Sequence, residues 1–226
     1  MKILGLIPAR KGSKGIKNKN LSLINNKPLI WYTLKEAKKS KKIDYLLVSS
    51  DCNKIKKLSE ENKIDFLKRK ANLSKDNTKI YNVIIDSINF LKMYRKLNFD
   101  YVILLQPTTP LKTSKMIDKG IRLILKKKGD TLVSVCQVED NHPARMYYKL
   151  GGSLSPLMSK NQDFNRQKLK KVFHRDGNIY IFKVKTLIKR NTLYGKRIIP
   201  LILEKSSKLN IDSYEDLFFA RYKMKK

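Results

Sequence analysis

The chain of 226 residues is poor in several residue types. It has two cysteines, two histidines and one tryptophan, and only 19 acidic residues against 51 Lys and Arg. Cys52 and Cys136 are too few for the disulfide framework of a small secreted protein, so we expect a reducing compartment and structural roles for both. No apolar run approaches the roughly 20 residues of a membrane span, and the first run is too short for a signal peptide. We therefore expect a cytoplasmic protein with no membrane partner.

The scarcity of acidic residues gives a formal net charge of +32. Such a charge is typical of proteins that bind nucleic acids or anionic surfaces. However, 41 of the 51 basic residues are lysines scattered along the chain, whereas base recognition relies mainly on arginine. No zinc or helix-turn-helix signature occurs, so a non-catalytic nucleic-acid-binding protein is only a remote alternative. The positive field still favours phosphorylated substrates, most strongly at low salt.

Buried strands and amphipathic helices alternate over most of the chain. Apolar runs predict strands at residues 3–9, 45–49, 65–67, 101–105, 131–138, 178–182 and 198–203. Helical spacing predicts helices near residues 29–37, 55–63, 81–97, 114–127 and 214–222, and a short one near Leu187. This alternation predicts an α/β fold with a mostly parallel, doubly wound sheet in a single domain of residues 1–226. Residues 139–173 break the pattern, and we expect an inserted arm there.

A loop rich in Lys and Gly follows the first predicted strand, at residues 10–20 with the sequence RKGSKGIKNKN. It leaves the carboxyl end of that strand, where ligands of open α/β sheets bind. Gly12 and Gly15 allow backbone amides to approach an anion. Charged donors come from Arg10, Lys14 and Lys19. The loop therefore predicts a triphosphate site, although neither the P-loop nor the GxGxxG spacing is present. The alternative is a solvated surface loop.

Further segments follow this loop in a fixed order. They are LQPTTPL at 105–111, VSV at 133–135, RQ at 166–167, DGNIYI at 176–181, NID at 210–212 and EDL at 215–217. Together with IPARKGSKGIKNKN at 7–20, they resemble the signature segments of the acylneuraminate (nonulosonate) cytidylyltransferases, the CMP-sialic acid synthetase family. The resemblance covers nearly the whole chain, and the segments keep the family's order and spacing.

The resemblance implies a reaction in which CTP and a free nine-carbon keto-sugar acid give the CMP-sugar and pyrophosphate. It also implies a nucleotide-diphospho-sugar transferase-like fold, a Mg²⁺ cofactor and a homodimer whose arm, residues 139–173, reaches the neighbouring subunit's site. Legionaminic, pseudaminic and Kdo acids are alternative acceptors for the same chemistry. The glycine-containing loop favours the sialic or legionaminic branch over the Kdo branch.

The resemblance also assigns functional residues. The nucleotide-binding set is Ala9, Arg10, Gly12, Ser13, Lys14, Lys19 and Asn20. The catalytic set is Arg10, Lys14, Lys19 and Asp212, and the acceptor-binding set is Gln106, Arg145, Arg166 and Tyr180. Arg145 and Arg166 would act from the partner subunit, unless they are plain surface residues. Gln106 could instead be a loop-capping amide.

Asp212 matches the family's principal magnesium ligand, although it or Ser213 could instead cap the final helix. Three positions depart from the family's pattern. Asn210 stands where the family has a second aspartate, so its role as a metal ligand is in doubt. His174 stands where the family often has an arginine. Lys112 replaces the arginine of the LQPTSPLR segment, which removes any bidentate contact there.

Overall fold

The computed structural model describes residues 1–13, 15–158 and 165–225, without the side chain of Arg166. Its strands are β1 (Ile3–Pro8), β2 (Leu23–Ile24), β3 (Lys27–Pro28), β4 (Tyr45–Ser50), β5 (Asp65–Lys68), β6 (Tyr101–Leu104), β7 (Thr131–Gln137), β8 (Tyr147–Leu150), β9 (Ser153–Pro156), β10 (Phe173–Lys183) and β11 (Ile198–Ile202). Its α-helices are α1 (Leu29–Lys39), α2 (Asn53–Glu61), α3 (Ile80–Arg95), α4 (Ser114–Lys127), α5 (Val184–Arg190) and α6 (Tyr214–Lys223).

Seven strands form the central sheet, in the order β11-β7-β10-β6-β1-β4-β5. Strand β1 pairs in parallel with both β4 and β6, and β4–β5 and β7–β11 are parallel as well. Strand β10 is the exception, because it runs antiparallel to both β6 and β7. The predicted α/β fold with a mostly parallel sheet is therefore confirmed.

Helices cover both faces of this sheet, which explains why the central strands β1 and β6 are apolar throughout. Successive side chains of a strand point to opposite faces. In β1, Ile3 and Ile7 lie in the core beneath α1, α2 and α4, while Leu4 and Leu6 lie in the core beneath α3 and α5. All four side chains are almost completely buried. The sheet is thus a rigid support for the loops that leave its strand ends.

A third, smaller core lies beside the sheet and attaches helix α6. In it, Leu217 and Ala220 of α6 pack with Ile16 from the predicted phosphate loop and with Ile211. Since Ile211 precedes Asp212 in the chain, this core brings Asp212 beside residues 10–20. Two segments almost 200 positions apart in the sequence therefore meet at the same edge of the sheet.

The predicted arm, residues 139–173, contains the antiparallel hairpin of β8 and β9. Four large apolar side chains of this hairpin are more than half exposed: Tyr147, Tyr148, Leu150 and Leu154. Strand β10 begins at Phe173, whereas the sequence predicts a strand only from residue 178. Within the described parts of the chain, no helix has the length and apolar character needed to cross a bilayer.

Candidate active site

A cleft of about 490 Å³ opens where β1 and β6 end. Pro8 closes β1, and Gln106 follows β6; both line the cleft. Three segments form its walls: residues 10–20 (the glycine loop), residues 106–112 (the threonine loop) and part of residues 73–83. The volume is typical of a small-molecule site, and the location is the one at which open α/β sheets bind their ligands.

Positive charge predominates in the cleft. Its described lining includes four cationic side chains, from Arg10, Lys19, Arg69 and Lys75. Two acidic side chains, from Asp76 and Asp212, oppose them. The amino-terminal end of α3 also lies here, through Ile80, and adds the positive end of a helix dipole. The cleft therefore favours an anionic ligand.

The glycine loop is held by its own polar contacts. Asn20 is buried, and its Nδ2 donates a hydrogen bond to the Arg10 carbonyl oxygen at 3.0 Å. The Lys11 backbone N–H donates to Asp51 Oδ1 at 2.7 Å, which ties the loop to the end of β4. These bonds fix the path of the backbone and leave Arg10 and Lys19 facing the cleft.

Only one of the two glycines in this loop is sterically required. A Cβ at Gly15 would lie 2.2 Å from the Asp212 carbonyl oxygen, so any side chain would push the loop away from Asp212. A Cβ at Gly12 would meet nothing within 4 Å. Gly15 therefore allows the glycine loop to pack directly against the segment that carries Asp212.

Lys19 and Asp212 form an ion pair in the cleft. Lys19 Nζ donates to Asp212 Oδ1 at 2.8 Å, and Asn210 Nδ2 donates to Asp212 Oδ2. Arg10 makes a similar pair with Asp76. The Asp212 side chain is 65% exposed, so its contact with Lys19 is accessible to a competing anion. A bound phosphate could take over Lys19, and the carboxylate would then be free for a cation.

Ser213, rather than Asp212, caps α6. Its hydroxyl accepts a hydrogen bond from the Asp216 backbone N–H at 3.2 Å, and Asp216 Oδ2 accepts from the Ser213 backbone N–H at 2.9 Å. Asp216 Oδ2 also accepts from the Asp212 backbone N–H at 2.9 Å. This capping box fixes the Asp212 backbone without using its carboxylate. The helix-cap alternative for Asp212 is therefore wrong.

The threonine loop holds the other side of Asp212. The Thr108 carbonyl oxygen accepts a hydrogen bond from the Ile211 backbone N–H at 2.8 Å. Gln106 lines the cleft, in agreement with a ligand-facing position. Lys112, however, does not reach the cleft, because its side chain is buried beneath the loop. The sequence analysis considers only the loss of a bidentate contact at Lys112, and it does not predict that this side chain is buried beneath the loop.

Arg69 is a cleft residue that the sequence analysis missed. It directly follows β5, and its guanidinium donates to the Ser49 carbonyl oxygen at 2.6 Å and to Ser49 Oγ at 3.2 Å. Burial lowers the pKa of Arg69 to about 10, an effect that Asp51 opposes and Arg10 reinforces. The signal available in the sequence is an arginine just after the strand predicted at residues 65–67, because ligands of parallel sheets bind where the strands end.

The structure brings six of the predicted site residues into one cleft. Those that line it are Arg10, Ser13, Lys19, Asn20, Gln106 and Asp212. Other predicted residues lie outside its lining: Ala9 is buried in the core, Gly12 and Arg145 are exposed, and Tyr180 packs near Phe182. Lys14 and the side chain of Arg166 lie outside the described residues, so their assigned roles stay predictions.

A divalent cation would find few acidic ligands here. Among the described residues, no group of three or more His, Cys, Asp or Glu side chains could hold a metal ion. Asp212 supplies one carboxylate, and Asn210, whose Nδ2 donates to Asp212 Oδ2, is a neutral amide that adds no charge. Mg²⁺ commonly binds to one or two carboxylates together with the phosphates of a substrate. The donor set therefore fits a Mg²⁺ ion that arrives with a nucleotide, and it does not fit a permanently bound one.

Comparisons with known proteins agree with this geometry. The chain is 30% identical over 225 residues to post-translational flagellin modification protein B of Campylobacter coli, covering 99% of this chain and 95% of that protein. It is also 30% identical to the N-acylneuraminate cytidylyltransferase of Escherichia coli, covering 97% of this chain but only 51% of that protein. A third relative, CMP-N,N'-diacetyllegionaminic acid synthase of Legionella pneumophila, is 29% identical, with 94% of this chain and 92% of that protein covered.

Solved structures show the same fold at lower identity. The structure of a CMP-2-keto-3-deoxy-manno-octonic acid synthetase in complex with CTP aligns with a TM-score of 0.75 at 15% identity, covering 99% of this chain and 98% of that one. The profile of the family described as Cytidylyltransferase matches residues 4–221. This match extends over almost the whole sheet, the cleft and helix α6. The chain is therefore a nucleotidyltransferase that belongs to the cytidylyltransferase family.

Proposed function

We propose that this chain activates a nonulosonic acid of the sialic type with CTP. The anomeric hydroxyl oxygen of the acid attacks the α-phosphorus, and the bond from that phosphorus to the bridging oxygen of the β-phosphate breaks. The products are the CMP-sugar and pyrophosphate, and the hydroxyl proton passes to solvent. The observation that carries the proposal is the cationic cleft at the ends of β1 and β6, in which Arg10 and Lys19 face Gln106.

The nucleotide's triphosphate binds along the glycine loop in this proposal. Arg10, Ser13 and Lys19 line the cleft there, and the predicted contact Lys14 belongs to the same loop. Lys19 exchanges its partner from Asp212 to the phosphates, where it stabilises the negative charge that grows on the leaving pyrophosphate. Arg69, which also lines the cleft, adds a further positive charge close to Arg10.

Asp212 is the proposed Mg²⁺ ligand, with Asn210 as a weaker second donor. When bound, the ion supplies neutralisation of phosphate charge. The structural support is that the Ser213 cap holds the Asp212 backbone and leaves its carboxylate accessible. Release of Lys19 toward the phosphates makes Asp212 Oδ1 available at the moment the nucleotide binds.

The acceptor binds beside Gln106 and extends into an adjoining cleft of about 770 Å³. Thr78 and Ile80 line both clefts, so the second lies next to the proposed nucleotide site. Its lining carries amide and hydroxyl groups, which suit a polyhydroxylated sugar acid: Asn72, Asn77, Asn82, Asn191, Thr192 and Tyr194. Tyr180 stays a predicted acceptor contact.

The hairpin of β8 and β9 is the proposed dimerisation element. Tyr147 and Leu154, which are 52% and 66% exposed, lie on the same face of the hairpin, and a second copy of the chain would cover this surface. Arg145, at the base of this arm, and Arg166 would then offer positive charge to the acceptor's carboxylate in the neighbouring subunit. Because its substrate CTP is a cytoplasmic nucleotide, we place the activity in the cytoplasm.

A panel of keto-sugar acids tests the proposal directly. Sialic, legionaminic, pseudaminic and Kdo acids are each incubated with CTP and Mg²⁺, pyrophosphate release is measured, and products are identified by mass. We expect the fastest release with a sialic-type acid and no release without an acid. UTP and ATP serve as control nucleotides. A legionaminic or pseudaminic product would reassign the acceptor, and no CMP-sugar from any acid would refute the proposed reaction.

Mixed dimers test whether the sites are shared. Arg166→Ala chains and Lys19→Ala chains are each expected to be poorly active, since each lacks one part of the site. Dimers that contain one chain of each kind should recover activity if Arg166 acts in the partner's site. Absence of recovery in verified mixed dimers would show that each subunit has a self-contained site.

A further inference from the structure

The ammonium group of Lys112 is buried beneath the threonine loop. The residue is 1% exposed, and its Nζ lies within hydrogen-bond distance of four oxygen atoms. Three belong to the threonine loop: the Gln106 carbonyl at 2.6 Å, the Thr109 carbonyl at 2.7 Å and Thr109 Oγ1 at 2.8 Å. The fourth is Thr33 Oγ1 on helix α1, at 3.3 Å.

These bonds are shorter than the backbone bonds of the same loop. Within the loop, the Thr109 N–H reaches the Gln106 carbonyl oxygen at 3.5 Å, and the Lys112 N–H reaches the Thr109 carbonyl oxygen at 3.5 Å. Charge-assisted bonds to a buried ammonium are also stronger than bonds between neutral groups. The Lys112 side chain therefore stabilises the conformation of the threonine loop, together with the Thr109 hydroxyl, which donates to the carbonyl oxygen of Gln106 at 3.2 Å or of Gly177 at 3.4 Å.

Two parts of the cleft depend in turn on this loop. Gln106 lines the cleft, and its own carbonyl oxygen receives the shortest bond from Lys112. Thr108 holds the Ile211 backbone N–H at 2.8 Å, next to Asp212. A shift of the loop would therefore move the proposed acceptor contact and the proposed metal ligand together.

We infer that Lys112 is a positioning residue that holds Gln106, and with it the acceptor, in line with the α-phosphorus. The inference rests on the proposed function and extends it, because Lys112 touches neither substrate. Lys112 also replaces the arginine of the family-like LQPTSPLR segment. In this chain, a single buried ammonium provides the support.

The charge state of Lys112 gives the inference a distinctive signature. Burial lowers the pKa of Lys112 to about 7, and Asp176 on β10 acts in the opposite direction. A protonated lysine has three N–H donors for its four oxygen neighbours, whereas the neutral amine has two donors and a lone pair. As pH rises through this pKa, the loop loses one of its bonds. Efficiency with the acceptor should therefore fall on the alkaline side.

Three variants separate positioning from simple packing. Lys112→Met keeps the chain length without donors, Lys112→Arg restores a permanent charge, and Thr33→Val removes only the longest of the four contacts. We expect Lys112→Met to lower kcat/KM for the acceptor by about 10²-fold, because small misplacements of reacting groups have effects of this size. KM for CTP should rise much less than KM for the acceptor, because in the proposed function the triphosphate is bound by the charged side chains of the glycine loop, which Lys112 does not contact. Lys112→Arg should recover activity, and its kcat/KM for the acceptor should not fall as pH rises on the alkaline side. Thr33→Val should resemble the wild type.

Amide hydrogen exchange supplies a readout that needs no substrate. Exchange at residues 106–109 should be faster in Lys112→Met than in wild type or Thr33→Val. The inference would be overturned if Lys112→Met impaired the kinetic constants for the acceptor and for CTP equally, in proportion to the fraction of unfolded protein. It would also be overturned if amide exchange at residues 106–109 were the same in Lys112→Met and wild type. If Lys112→Met does not fold, the inference is tested by the pH dependence of kcat/KM for the acceptor in wild type and Lys112→Arg. The same alkaline decline in both proteins would refute the inference. If the wild type turns over no acceptor, the proposed function fails, while the exchange result still decides the role of Lys112 in the loop.

Discussion

The two loops that face each other across the cleft are supported in different ways. In the glycine loop, two charged side chains form ion pairs at the surface of the cleft: Lys19 pairs with Asp212 and Arg10 with Asp76. In the threonine loop, the one charged side chain points inward, where Lys112 bonds the loop's own oxygen atoms. One loop presents charge to the cleft, and the other uses charge to maintain its own shape.

This difference suits the two halves of a group-transfer reaction. The ion pairs of the glycine loop are partly exposed, so each is weak and can exchange one anion for another. The buried ammonium of the threonine loop cannot exchange its partners, because leaving the carbonyl oxygens unpaired would cost free energy. The nucleotide side can therefore adapt when the ligand arrives, whereas the acceptor side is already organised before binding.

The largest expected effect on turnover comes from removing Lys19, whose ion pair with Asp212 is accessible to a competing anion. Lys19→Ala should lower kcat by about 10²-fold or more, since Lys19 would stabilise charge that develops in the transition state. Lys17→Ala, two residues earlier and exposed, is the matched control and should have near-normal turnover. Steady-state kinetics with saturating CTP check both. Comparable activity in the two variants would show that Lys19 contributes only to the general positive field.

Features that reside in short runs of sequence were predicted well. Strands β1, β4 and β6 are continuous apolar runs, and their ends were placed within a residue or two. The glycine loop follows β1 directly, so its position at the cleft followed from the sheet rule alone. Asp212 and Gln106 came from the family resemblance, because nothing local shows that they meet the glycine loop.

Features that depend on distant partners were not predicted. The residues around Lys112 form no pattern that predicts burial of a lysine, and its oxygen partners lie on the threonine loop and on α1. Arg69 is fixed by Ser49 of a neighbouring strand. The first five residues of β10 are mostly polar, since this stretch pairs with β7 through its backbone and shifts register between Arg175 and Tyr180. Side-chain pattern carries little information about any of these contacts.

The next expected effect concerns the partner of Lys19. Asp212→Asn should raise the Mg²⁺ concentration needed for half-maximal activity by about tenfold or more, because it removes the one carboxylate of the proposed donor set. Asn210→Asp should shift the requirement the opposite way by adding a carboxylate. Mn²⁺ binding followed by magnetic resonance, with a non-hydrolysable CTP analogue present, checks both variants without turnover. An unchanged metal response in Asp212→Asn would place the metal ligand elsewhere.

A pair of glycine substitutions tests whether the glycine loop is supported by its close packing against the segment that carries Asp212. Gly15→Ala places a methyl group on the Asp212 carbonyl oxygen, so we expect a loss of about 1–3 kcal/mol in the free energy of unfolding and weaker CTP binding. Gly12→Ala has open space, and it should be neutral or stabilise by up to about 1 kcal/mol through the unfolded chain. Chemical denaturation and CTP titration distinguish the two. Similar results at both positions would mean that the glycine loop does not rest on the Asp212 segment.

The smallest expected effect comes from the cap that fixes the Asp212 backbone. Ser213→Ala should lower the free energy of unfolding by about 1 kcal/mol, and Ser213→Thr, which keeps a hydroxyl, should lose less. Burial alone would raise the pKa of Asp216, but hydrogen bonds from the Asp212 and Ser213 backbone N–H groups outweigh it and lower the pKa below its ordinary value.

A depressed carboxyl pKa stabilises the fold above the ordinary pKa and ceases to do so as pH falls through the folded-state value. Asp216→Asn should therefore cost stability at neutral pH and approach wild-type stability in acid, as thermal unfolding across pH would show. If its cost were the same at every pH, Asp216 would contribute by shape and not by charge. The support of Asp212 would then resemble the bond from Asn20 to the Arg10 carbonyl oxygen in the glycine loop, which involves no charged group.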